Sequence, residues 1–179
     1  MTTDSEFVDE PLLEEYATKL STLYYDGVGV VAALVISPQI DVHNYLSAMR
    51  VVPGEGVDGQ YPGKQWWKGK LMTGRQVSAI NAEVLDALEI PFDVSGDNLI
   101  IRGIDLSSFA PGDTLRIGDA LLTVTPTAHL PCSKLARRTS MTKKKALEAG
   151  RLRGIFLDAR EPAVVYLGDA VERLVISEV

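Results

Sequence analysis

The sequence holds one cysteine, Cys132, and two histidines, His43 and His129. A single thiol excludes an internal disulfide framework and the cysteine-rich zinc sites. A His/Cys metal site would have to borrow carboxylates. Long apolar runs are also missing. The longest, Val28 to Ile36, is far too short for a membrane-crossing helix, which needs about 20 residues. The start, MTTDSEFVDEPLLEEY, is acidic and lacks the basic-then-apolar order of a secretory signal. A cytoplasmic protein without membrane contact is the expectation. Positive charge is in deficit, with 18 Lys and Arg against 24 Asp and Glu and a net charge of -6. Such a chain is a poor nucleic-acid binder, since phosphate neutralisation needs a basic face.

The charge is nevertheless uneven. Between Lys134 and Arg153 there are eight cations and one acid, Glu148, so that segment carries +7 and the remainder -13. Two readings stand: a solvated helical face, or a local anion site in a chain that otherwise repels anions.

Hydrophobic residues make up 46% of the 179, enough for a sizeable core. Residues 11–24 carry Leu12, Leu13, Tyr16, Ala17, Leu20 and Leu23 at helical spacing, with Pro11 suited to the first turn. The stretch VGVVAALVIS reads as a buried strand closed by Pro38. The Gly- and Pro-rich stretch 51–70 reads as a long loop holding Trp66 and Trp67 beside Lys64, Lys68 and Lys70. Adjacent tryptophans on a strand face opposite ways, so one packs while the other rims a surface or pocket, unless both are loop ballast. NAEVLDALEI predicts a helix with Asn81 as N-cap and Pro91 as stop. NLIIRG is a strand, and DTLRIGDALLTVT a hairpin turning at Gly118-Asp119. MTKKKALEAG predicts a helix capped by Thr142 and ended by Gly150. RGIFLDAR, AVVYLG and AVERLVISEV supply three more strands. Many short strands with Gly-Asp turns, without regular helix alternation, indicate a mainly β barrel or sandwich with peripheral helices.

Cys132 sits in TAHLPCSKLARR, residues 127–138. Pro131 favours an extended residue before it and can open a helix. Cys132 is thus expected near a helix N-terminus, with Lys134, Arg137 and Arg138 following. Free N–H groups, the helix dipole and nearby cations all favour thiolate, the form that attacks electrophiles and binds metal. The other reading is an inert, buried free cysteine. His129-x-x-Cys132 is either a metal or thiol–base pair or simply a histidine at a strand end.

The landmarks GRQVSAI at 74–80, SGDNLIIRGIDLSSFAPGDTLRIGDALLTVT at 95–125, PCSK at 131–134, and RGIFLDA followed by LGDAV resemble, in order and spacing, the MOSC domain. This is the C-terminal domain of molybdenum cofactor sulfurases and also occurs in stand-alone proteins. The resemblance runs from about Val28 to the C-terminus. It implies a MOSC-type β-barrel over 28–179, with 1–27 a helical extension. It implies binding of molybdenum cofactor (molybdopterin), a phosphate-bearing pterin dithiolene. Cys132 matches the family's functional thiol, a molybdenum ligand or sulfur acceptor. Arg75 and Asn98 match its polar positions as cofactor contacts, joined by Lys134, Arg137 and Arg138. Arg75 as a surface ion-pair partner and Asn98 as a turn residue are the alternatives. The implied chemistry is reduction of N-hydroxylated compounds or sulfur transfer, with a redox or sulfur-donor protein as partner. A non-catalytic pterin- or anion-binding carrier is the competing reading. The chain departs from the family in one loop. Where a Gly-Asp-Arg-His-like segment is usual, GVDGQYPGKQWW keeps Asp58-Gly59 but not the Arg and His. No segment resembles the aminotransferase-like domain of the sulfurases, so a pyridoxal phosphate site is not expected.

Overall fold

The computed structural model describes residues 7–61, 66–67 and 70–174. The chain opens with helix α1, Glu10–Ser21, where Asp9 accepts from the Leu12 N–H at 3.0 Å and Pro11 lies in the first turn. The helix stops short of Leu23 because the Thr22 hydroxyl and N–H both turn back to the Lys19 carbonyl. Strands β1, Gly29–Gln39, and β2, Val42–Leu46, follow as an antiparallel hairpin. Strand β1 does not end at Pro38. It passes through it at a register shift between Ile36 and Gln39, where proline's missing N–H leaves no ladder bond unmade.

Strands β3, Ala48–Val52, and β4, Gly56–Val57, form a hairpin inside the stretch expected to be loop. Two short strands, β5 at Trp66–Trp67 and β6 at Lys70–Leu71, pair next. The expectation for the tryptophan side chains, and for Lys64 and Lys68, lies outside what is described. Then come β7, Val77–Asn81, helix α2, Ala82–Ala87, helix α3, Phe92–Ser95, and β8, Leu99–Arg102. The expected hairpin is present as β9, Thr114–Ile117, and β10, Ala120–Val124. Helices α4, Ser133–Arg138, and α5, Met141–Gly150, precede β11, Ile155–Ala159, β12, Ala163–Tyr166, and β13, Ala170–Leu174.

Seven strands close a barrel in the order β13-β9-β10-β11-β7-β8-β1, and β1 returns to β13 through Gly29 opposite Val171. A smaller sheet, β12-β3-β4, lies beside it. The mainly β reading holds, with one feature it lacked. β7 and β8 run parallel, joined by α2 and α3 as a crossover.

Alternation along the strands divides the core in two. Leu99 and Ile101 of β8 point into the barrel with Leu34, Leu115, Leu122 and Leu157, while Ile100 points out. Outside, Ile100, Ala33 and Ile80 pack under Tyr16 and Leu20 of α1, Leu85 of α2 and Leu147 of α5. This is why β1 reads as an unbroken apolar run: both of its faces are covered.

Two expected caps are used differently. Asn81 stands at the start of α2, but its amide donates to the Ile104 carbonyl at 2.6 Å and its oxygen accepts from the Leu106 N–H at 3.0 Å. Ser140, not Thr142, caps α5, accepting from the Lys143 N–H at 3.1 Å. Thr142 instead accepts from the Asp9 N–H at 2.9 Å and ties α5 to α1. The left-handed residue ending α5 is Arg151, with φ 54°, rather than Gly150.

The closing seam supplies a test. A Cβ on Gly29 would stand 2.2 Å from the Val171 carbonyl oxygen, whereas one on Gly112, with φ 93°, meets nothing. Gly112→Ala should cost about 1–2 kcal/mol of backbone strain. Gly29→Ala should cost clearly more, about 3 kcal/mol or above, because backbone must move. Urea unfolding of the two variants measures the difference.

Candidate functional site

At one end of the barrel a cleft of about 320 Å³ opens between the tip of the β1–β2 hairpin, the segment before β7 and the start of α4. That volume lies at the lower end of the range for small-molecule sites. Cys132 is on its wall, exposed, free and at the N-cap position of α4 with extended backbone. The helix start expected after Pro131 is therefore observed. Leu135 and Ala136 of α4 are buried, which anchors the short helix and leaves Lys134 and Arg138 on the cleft wall.

Of the sequence-selected residues, Cys132, Arg75, Lys134 and Arg138 come together around the cleft, and Arg137 and Asn98 do not line it. The Arg75 guanidinium lies 5.9 Å from the centre of the Phe156 ring, which also lines the cleft. Arg137 is exposed. Asn98 is 1% exposed and serves as a buried cross-link. Its amide donates to the Val35 carbonyl at 3.1 Å and to Gln60 at 3.2 Å, and its oxygen accepts from the Ser78 N–H and hydroxyl at 3.3 Å each. It joins β1, β7 and the start of β8, beside the backbone bonds from the Val35 N–H to the Asn98 carbonyl and from the Asn98 N–H to the Ser78 carbonyl. The side chain is thus a buried cross-link that does not line the cleft.

The +7 segment is dispersed rather than pooled. Lys143 donates to the Glu89 carbonyl at 2.9 Å, and burial pushes its ammonium below the ordinary lysine range. Lys144 and Lys145 pair with Glu148. Arg138 pairs with Asp41 of the hairpin tip at 2.6 Å. That guanidinium, with Lys134 and Arg137 further off, holds the Asp41 carboxyl below its ordinary range. The tie across the cleft mouth is therefore present above the ordinary carboxylate range and is lost only as acid protonates Asp41.

Sequence reasoning missed the floor. Arg153 is 6% exposed and Asp97 1%. Arg153 donates to the Asp97 carboxylate at 2.5 Å and to the Ser95 carbonyl at 3.1 Å. The other carboxylate oxygen of Asp97 lies 3.7 Å from Nε2 of His129. His129 in turn stacks on Phe156, with ring centres 4.1 Å apart and planes 34° apart. Arg153, His129 and Phe156 all line the cleft. One signal was available: Asp97 lies inside the SGDNL landmark. Only the fold shows that it is buried and not a solvated turn aspartate.

Among the described residues no group of three His, Cys, Asp or Glu side chains is placed to hold a metal ion. A metal in this cleft would take Cys132 from the protein and bring its other ligands with it.

The MOSC domain profile matches residues 68–172. The chain belongs to the MOSC domain family. Solved structures with the same fold include YuaD from Bacillus subtilis, 17% identical over 80% of this chain and 94% of that one, with a TM-score of 0.63. YiiM from Geobacillus stearothermophilus is 17% identical over 82% and 75%, with a TM-score of 0.59. YiiM from Escherichia coli is 18% identical over 84% and 72%, also at 0.59. At these identities the likeness is one of fold. No curated protein matches the sequence. The matched span includes Arg75, Cys132 and the Asp97–Arg153 pair, while the part of the cleft wall supplied by the β1–β2 hairpin and Tyr61 lies before it.

Floor and wall should respond differently to substitution. Asp97→Asn leaves Arg153 buried without its counter-charge and should cost about 3–5 kcal/mol. Cys132→Ser, at an exposed position, should stay within about 0.5 kcal/mol of the parent. Denaturant midpoints read both.

Proposed function

We propose that the cleft binds molybdenum cofactor, with Cys132 as the protein's ligand to the metal or the acceptor of its sulfur. One observation carries the reading: an exposed thiol lines the same cleft as Lys134, Arg138, Arg75 and the buried Arg153. The residues fit such a group. A thiolate is the soft ligand that molybdenum accepts beside dithiolene sulfur. The cations suit a phosphate, which arginine binds through paired, charge-assisted hydrogen bonds. Nε of Arg153 is buried without a hydrogen-bond partner, so the floor keeps donor capacity that the protein itself does not use. A metal that carries its own sulfur ligands also needs no three-residue protein cluster.

Bound there, the cofactor supplies oxygen-atom or sulfur chemistry: reduction of N-hydroxylated compounds, or sulfur transfer. The chain's part is to hold the phosphate at Arg75, Lys134 and Arg138, to present the Cys132 sulfur, and to shield one side with Phe156 and Tyr61. A redox or sulfur-donor protein and a cytoplasmic setting belong to the same proposal. Among the described residues no helix is long and apolar enough to cross a membrane.

A carrier without catalysis is the second reading, favoured by the altered loop. The Gln60 side-chain oxygen accepts from the Ser37 N–H and from Asn98, and Tyr61 reaches the cleft, so the described part of that loop brings it a phenol and neither the arginine nor the histidine usual in the family.

The test is expression in a molybdenum-competent host, gel filtration and metal analysis. The parent should carry molybdenum. Cys132→Ser should lose it or hold it with altered metal coordination while its circular dichroism is unchanged. Arg75→Ala should retain the cofactor roughly tenfold less tightly, the size expected for one charged hydrogen bond, and lose it sooner as salt rises. A parent without molybdenum, indistinguishable from Cys132→Ser, would contradict the proposal.

A further inference from the structure

We infer that His129 couples anion binding in the cleft to uptake of a proton, so that an anion binds more tightly as pH falls. The inference rests on the cleft being an anion site, as proposed above.

The placement of the imidazole carries it. His129 lies in the connection between β10 and α4, with its side chain 8% exposed. Among the contacts of the ring are Phe156, with ring centres 4.1 Å apart, and the Asp97 carboxylate, 3.7 Å from Nε2. It also lines the cleft, so it sits between a buried negative charge behind and the ligand space in front.

Among the described residues, the charged groups near it come from several elements. Behind it are Asp97, from the connection before β8, and Arg153, from the connection after α5. Across Phe156 is Arg75. From α4 come Lys134 and Arg138, with the Cys132 thiol at its start. From the hairpin come Asp41 and His43. The two carboxylates are each already matched by an arginine, Asp41 by Arg138 and Asp97 by Arg153. A proton on His129 therefore adds positive charge to a cleft that Arg75 and Lys134 already make positive.

Two effects oppose each other. Asp97 favours the charged imidazole, and the surrounding cations disfavour it. A bound dianion tips that balance, because it adds a second negative neighbour on the open side of the ring. Linkage requires the converse: a protonated His129 raises the affinity for the anion. Histidine is the side chain whose ordinary titration falls between about pH 5 and 8, where such coupling is felt.

Sulfate is the probe. It is a tetrahedral dianion like a phosphate monoester, but it exchanges no proton of its own in that range. Titration calorimetry of the Cys132→Ser protein, which removes the thiol's own titration, should show sulfate binding that weakens as pH rises from 6 to 8. The limit for one coupled proton is about tenfold per pH unit. Repeating the titration in buffers of different ionisation enthalpy should show net proton uptake. His129→Gln in the same background should bind sulfate without proton uptake and with a flat pH profile. His43→Gln should keep both. Sulfate bound with no proton uptake, or an unchanged slope in His129→Gln, overturns the inference and leaves the cleft as an anion site. No sulfate binding at any pH overturns the inference together with the anion part of the proposed function.

Discussion

The carboxylate of Asp97 has no exposed side-chain surface, and Arg153 meets it there at 2.5 Å. A charge out of water costs several kcal/mol unless it is matched, and removing one partner leaves that cost uncompensated. The pair therefore acts as a fixed joint. It fastens the connection after α3, through Asp97 and Ser95, to the connection before β11, through Arg153. His129 brings the connection before α4 to the same carboxylate. Three irregular segments are tied together by one buried negative charge, and each of them contributes to the lining of the cleft.

The barrel makes this joint possible. Gly154 follows Arg153, and a Cβ there would stand 2.0 Å from the Ala79 carbonyl oxygen. With φ 94°, it lets the chain turn against β7 and enter β11 with Arg153 pointing inward. Asn98 secures the other side, linking β1, β7 and β8 next to the aspartate that precedes it. Floor and mouth differ in character. The Asp97–Arg153 pair is buried, whereas the Asp41–Arg138 tie is open to water and to salt, which weaken it. The structure thus combines a buried joint with a solvent-exposed tie.

Much of this was legible in the sequence where the signal is local. The β9–β10 hairpin, the helix opening after Pro131, and the barrel class followed from turn chemistry, proline geometry and the landmarks shared with the MOSC domain. Helix α1 was legible in its apolar spacing, though its end was overrun because Leu23 continues the pattern while the backbone has already turned. What failed was non-local. The +7 segment left a solvated face and a local anion site both open. Lys144 and Lys145 pair with the nearby Glu148. Arg138, Arg153 and Lys143 meet Asp41, Asp97 and the Glu89 carbonyl, partners that sequence distance hides, and Lys134 and Arg138 line the cleft. Asn98 and Asp97 are neighbours in one landmark, and both are buried. No pattern in the sequence distinguishes a buried cross-link from a solvated turn. The parallel β7–β8 pair was hidden for a different reason: the helix in NAEVLDALEI is legible, but the five-residue β7 before it, buried on both faces, carries no alternation that marks it as a strand.

The central claim is that the Cys132 sulfur meets the cofactor, and its accessibility tests this most directly. It is the chain's only cysteine, so one mass increment on treatment with iodoacetamide reports on it alone. Without cofactor, the exposed thiol should be alkylated to completion. With molybdenum cofactor bound at one metal per chain, the account predicts that alkylation is blocked until the cofactor is released. Equal alkylation of loaded and unloaded protein, with the metal still bound, would contradict it.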